Sequence, residues 1–230
     1  MGLKPGVLLL LCAASGCAQQ AIVNMPSADI TPKGKHFLMH ETQWRPWQPR
    51  YWYGTNFYCY GVGASTELTV TNWNSGVGAP NLATGIGFKS APQLLKETHP
   101  HSELKVTFGQ KLVLNHRGTG LGSFSFGHVS FRTPKTHTRI TAGGFHGTRQ
   151  LLTRTTGNFL AGLEQPLNKK DSLIWVNEYM HGQHDFGNFV TGLLYHPGGS
   201  KNHVIVAAVK IPSRAENGKV GVVLEYGLFF

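Results

Sequence analysis

Histidine clusters, a few hydroxyls and a set of isolated charges are the residues of this chain that could do chemistry. His181-Gly182-Gln183-His184-Asp185 offers two imidazoles and a carboxylate from one segment, and His99-Pro100-His101 offers two further rings. Such donor types suit zinc or copper. Both clusters fall in connections, where exposed histidine is ordinary, and neither meets a fixed ligand spacing, so no metal site is expected. Nucleophilic catalysis needs a hydroxyl or thiol beside a base. Asn115, His116 and Ser123 are the nearest such set, but they straddle the turn Arg117-Gly118-Thr119-Gly120. That turn lacks the following helix that a phosphate cradle requires. No catalytic residue and no cofactor are therefore expected, and the chain reads as a non-enzyme.

The charges are more informative. Glu67, Lys89, Glu103, Lys105, Lys111, Glu164, Glu178 and Glu225 each lie on the side of their segment opposite an apolar row. If that side is the inside of a closed sheet, such groups either pair across the lumen and fill it or tune which solutes pass. Both readings stay open at the level of sequence.

The elements that would hold these charges are strands. From Val220 to Phe230, the residues Val220, Val222, Leu224, Tyr226, Leu228 and Phe230 form an apolar row at spacing two, while Gly221, Val223, Glu225, Gly227 and Phe229 form the other face. Period two is strand geometry. Further strand-like segments are expected near 36–45, 55–62, 67–73, 81–89, 103–114, 122–132, 136–147, 158–165, 172–180, 187–196 and 203–211, with turn residues between them. The count, about twelve, is even, as a single-chain barrel with both ends on one side requires. The expected fold is all-β: an antiparallel up-and-down transmembrane β-barrel spanning 36–230. The aromatic stretch from Trp44 to Tyr60 suits an interfacial girdle.

Composition agrees. Charged residues are only 14% of the chain, glycine reaches 29 residues and aromatics 11%. A lipid-facing band needs no charge, whereas a water-facing surface does. The formal charge of +10 is spread over scattered cations, with no dense basic run, so nucleic acid is not expected as a partner. Anionic lipid headgroups and lipopolysaccharide are the expected counterpart of that charge.

Residues 1–18 carry one early cation, Lys4, and a short apolar run, which is the pattern of a secretory signal peptide. Cleavage before Gln19 and a lipoprotein-type box ending at Cys17 are both open. Residues 19–35 hold Pro26, Pro32 and Gly34 and read as a periplasmic lead-in or a small plug. Cys59 alone surely remains after processing, so no internal disulfide is expected.

The alternating terminal strand ending on Phe230 resembles the closing strand of bacterial outer-membrane β-barrels. That resemblance implies outer-membrane localisation, recognition by the barrel-assembly machinery, and Phe230, Leu228 and Tyr226 as the assembly signal. A narrower likeness lies in Tyr60-Gly61-Val62-Gly63-Ala64-Ser65-Thr66-Glu67-Leu68 followed by Gly76-Val77-Gly78-Ala79-Pro80-Asn81-Leu82. These resemble the opening hairpins of the twelve-stranded phenol meta-pathway transporter-like family. Ala64 and Ala79 stand where that family usually has acidic or polar turn residues. The resemblance implies a passive channel or transporter for an unspecified small molecule. Outer-membrane phospholipase A is another twelve-stranded barrel, and its strand motifs for His, Ser and Asn are not found. The alternative reading is a secreted or lipid-anchored soluble β-protein binding a glycan or another small ligand.

Overall fold

The computed structural model describes residues 21–47, 50–77, 82–95, 102–116, 120–152, 154–184 and 186–230. The signal segment, Cys17, the His99-Pro100-His101 cluster, Asp185 and the turn 78–81 lie outside the described residues.

Twelve strands follow one another along the chain: β1 His36–Arg45, β2 Tyr51–Gly63, β3 Thr66–Val77, β4 Ala83–Ser90, β5 Glu103–Asn115 and β6 Gly120–Arg132, then β7 Arg139–Gly147, β8 Gly157–Pro166, β9 Leu173–Met180, β10 Asn188–Tyr195, β11 His203–Pro212 and β12 Gly221–Phe229. Each pairs antiparallel with its sequence neighbours, and β12 returns to β1 to close the barrel. Closure leaves no unpaired sheet edge, which is the condition for strands to stand in lipid. The seam is sealed at its end by reciprocal bonds, His36 N to the Phe230 carbonyl at 2.9 Å and Phe230 N to the His36 carbonyl at 3.1 Å.

Alternation sorts the side chains. Along β1 the odd residues from Phe37 to Arg45 are buried, while Leu38, His40 and Trp44 are exposed. Around the wall the outward row is apolar, with Ile86 64%, Leu112 60%, Leu121 62% and Leu224 51% exposed. Water would penalise a continuous surface of that kind at roughly 25 cal/mol per Å². Lipid does not. The closed wall with an apolar outside is the fold of an outer-membrane β-barrel, and it runs against the soluble alternative, whose outer strand faces would be polar.

Several expected boundaries shift. β2 starts at Tyr51 rather than near 55, because Tyr51 to Gly54 pair with Arg45 to Thr42 of β1. β7 starts at Arg139 rather than near 136. Thr133 to Thr138 instead form a tight turn, with Thr138 N bonded to Thr133 Oγ1 at 3.1 Å and His137 at a left-handed φ of 54°.

Residues 21–32, expected as a lead-in or a small plug, run inside the barrel. Ile22, Val23, Met25, Ser27, Ala28 and Thr31 are all buried. The chain leaves along β2, where Gly34 N donates to the Gly61 carbonyl at 2.8 Å and Gly61 N donates to the Lys35 carbonyl at 3.1 Å. Any Cβ at Gly61 would run into the carbonyls of Thr31 and Pro32, so glycine sets how closely this segment can approach the wall.

Candidate functional site

The candidate site is the lumen and the segment inside it. Because strand residues alternate, acids and bases on the inward rows face each other, residues 21–32 and the other inward side chains. Three groups of charge result.

Arg139, at the start of β7 with its side chain 2% exposed, faces three carboxylates. Its Nη1 and Nη2 donate to the two Asp29 oxygens at 2.8 Å each, a bidentate clamp on the inner segment. Its Nη2 also reaches Glu103 at 2.8 Å, and Nη1 reaches Glu164 at 3.1 Å. Glu103 in turn meets Lys105 at 3.0 Å and Arg132 at 3.6 Å. Cations and carboxylates thus balance, three against three. Burial by itself would raise the Asp29 carboxyl, but the Arg139 guanidinium, with Lys105 and Arg132 beyond, holds it well below the usual carboxylate range.

The second group pairs Lys89 with Glu67 at 3.2 Å, both fully buried. Glu67 accepts Thr31 N at 2.7 Å, and Lys89 reaches Ser27 Oγ at 3.4 Å. In the third, the Glu178 carboxylate accepts three successive backbone N–H groups: Val23 at 2.9 Å, Asn24 at 2.7 Å and Met25 at 2.9 Å. The inner segment is therefore gripped at both ends and in the middle by side chains of the wall.

Towards the end of the barrel away from the chain termini the interior turns apolar. Trp73, Phe124, Phe126, Leu152, Leu160 and Met180 are buried there. Lys111 sits among them, donating to Thr71 Oγ1, with its ammonium 5.2 Å from the centre of the Trp73 ring. A cavity of about 40 Å³ remains, floored by Ala21, Asn24 and Pro26. That is room for a few waters at most.

All of the sequence-nominated charges have their side chains inside the barrel, Glu103 and Lys105 partly exposed and the others buried. Glu225 is directly opposite Glu41 across the seam. Phe230 and Tyr226 are exposed on the outer wall at 53% and 49%, and Leu228 is half-buried beside them. Sequence reasoning missed Arg139, Asp29, Glu41 and Gln43. Arg139 opens a strand that the sequence places three residues earlier, and Glu41 faces Glu225 only through the closure of β12 on β1. Asn115, His116 and Ser123 do not converge. Asn115 points inward and donates to the Gln150 carbonyl at 2.8 Å, His116 is exposed and bonded to Thr84 Oγ1 at 2.8 Å, and Ser123 pairs with Leu112. Among the described residues no group of histidine, cysteine and carboxylate side chains could hold a metal ion.

No protein-family model matches the chain, and no curated protein matches it. Among solved structures it is similar to outer membrane phospholipase A from Escherichia coli, at 11% identity and a TM-score of 0.47, over 88% of this chain and 94% of that one. An active-site variant of the same enzyme aligns at 10% identity and a TM-score of 0.47, over 87% and 91%. The attachment invasion locus protein of Yersinia pestis aligns at 11% identity and a TM-score of 0.22, over 86% and 99%.

Proposed function

We propose that the protein is an outer-membrane channel for small solutes whose lumen is shut at rest by its own residues 21–32. One observation carries this reading: the wall grips the inner segment at three places through hydrogen bonds and ion pairs, at Glu178, Glu67 and Arg139. A lumen needed only as a structural core would be filled more stably by apolar side chains, since buried ion pairs seldom repay their desolvation. Polar contacts of this kind can instead be exchanged for water when the segment withdraws, and they then leave a charged passage. The meta-pathway transporter-like resemblance of the opening hairpins points the same way, and the solute is unspecified.

Solute flux into liposomes tests it. Protein reconstituted with small sugars outside should admit them slowly as wild type and faster as Arg139→Ala, which removes the clamp on Asp29. Equal rates for both, at the level of empty liposomes, would contradict a gated channel.

A further inference from the structure

The outer wall carries a second arrangement, independent of the lumen and of the channel reading. His40 and Thr42 stand two apart on β1 and so share its lipid-facing side. Register places Asn56 of β2 directly opposite His40, and Gly54 opposite Thr42. His40 Nδ1 is 2.8 Å from Asn56 Oδ1, and His40 Nε2 is 3.0 Å from Thr42 Oγ1. An amide oxygen only accepts, so Nδ1 carries the ring proton and Nε2 presents its lone pair to the threonine hydroxyl. A hydroxyl, a base aimed at it and a third group fixing that base's tautomer are the three roles of a hydrolytic triad, recognised by geometry and not by chain order.

Two further observations give the set a place and a substrate. A Cβ at residue 54 would lie 2.7 Å from His40 Cε1, so the imidazole occupies the space that glycine leaves on the wall. The next outward pair above Thr42 and Gly54 is Trp44 with Trp52, 49% and 64% exposed, the start of an interfacial girdle. Two residues down a strand tilted about 40° is ~5 Å of depth, which puts the hydroxyl just beneath the headgroups. Lipid acyl esters lie at that level. Polar side chains facing hydrocarbon are costly and mark function by default.

We infer that Thr42, His40 and Asn56 form an esterase site on the outside of the barrel that cleaves acyl esters of membrane lipids. Thr42 Oγ1 attacks the ester carbonyl carbon as its proton passes to His40 Nε2. The bond to the lipid alcohol breaks, and that oxygen takes the proton from His40. Water then attacks the acyl-threonine ester, giving a proton to Nε2, and the fatty acid leaves as Thr42 recovers its hydrogen. Thr42 and His40 are the catalytic residues. Asn56 is a positioning residue.

The test uses the full chain folded in detergent micelles, its folding verified by heat-modifiable gel migration, with phosphatidylcholine carrying a labelled acyl chain. Wild type should release labelled fatty acid. His40→Ala and Thr42→Val should lower that rate on the order of 100-fold or more, while Thr42→Ser retains it. Asn56→Ala should lower kcat with KM held. Asn56→Asp should retain activity with the acid limb of its pH profile moved upward, because a carboxylate favours the imidazolium. A sulfonyl fluoride should label the peptide containing Thr42. No release by folded wild type, or release unchanged in folded Thr42→Val, would overturn the site and mark the three side chains as a self-satisfied polar cluster.

Discussion

Glu178 shows how single residues hold the interior together. One carboxylate takes three consecutive N–H groups from Val23, Asn24 and Met25, donors that otherwise have no strand to pair with inside the barrel. Glu178→Ala would leave those buried donors without an acceptor, at a cost of about 1–3 kcal/mol each. Hydrogen exchange at these amides should accelerate strongly while the strand amides keep their protection. Unchanged exchange would mean that apolar packing of Ile22 and Met25 holds the segment. Asp29 gives a pH prediction of definite sign. Its folded carboxyl is held below the unfolded range near 3.9, so its contribution to docking is complete above that range and is lost only as pH falls through the depressed value. Protection of residues near 29 should therefore survive at pH 4, and Asp29→Asn should weaken it at neutral pH. Arg139→Ala would take the guanidinium from Asp29 and Glu164 while Glu103 keeps Lys105 and Arg132, and breaking a buried network in this way costs about 3–5 kcal/mol.

At the scale of elements, the closing strand carries the most. Tyr226, Leu224 and Phe230 face outward and Glu225 inward, so a one-residue slip would place a carboxylate in lipid. Deleting Phe230 removes both reciprocal bonds to His36 and a ring stacked on the His36 imidazole at 5.3 Å. Insertion should fall, with unfolded protein collecting in the periplasm. Glu225→Gln should insert as wild type, because an amide still hydrogen-bonds. This strand was legible in the sequence because lipid outside and charge inside impose a clean period of two. The same contrast made the alternation of Leu68, Ile86 and Phe88 readable. It failed at Tyr51 to Gly54, where aromatics at a girdle resemble a connection. It also failed at Thr136 to Thr138, where threonines of high strand propensity serve a turn instead. The outer triad was invisible for a different reason. His40 and Thr42 are neighbours in sequence, but Asn56 joins them only through the register of β1 on β2. Asn115, His116 and Ser123, the nearest such set in the linear sequence, face different ways.

For the whole molecule, an even number of strands puts both described ends of the barrel wall, His36 and Phe230, at one end of it, together with the turns at 63–66, 133–138, 166–172 and 196–202. The connections at 147–156, 181–187 and 213–220 lie at the other. If the termini are periplasmic, a cysteine at Gln183 should label on intact cells and one at Gly199 should not, and Cys59, buried in the wall, should not interfere. Labelling at 199 alone would reverse the orientation. What the linear sequence could not give is the closed lumen. Residues 21–32 have no periodicity of their own, and their place inside is set by Glu67, Arg139 and Glu178 acting from three different strands. The most direct measurement of the resulting account is conductance across a planar lipid bilayer, comparing the full chain with one lacking residues 21–32. The full chain should be silent or open only briefly, and the shortened chain should give sustained unitary steps. Steps of equal size and duration from both, or none from a shortened chain that is folded and inserted, would contradict a channel closed by its own chain.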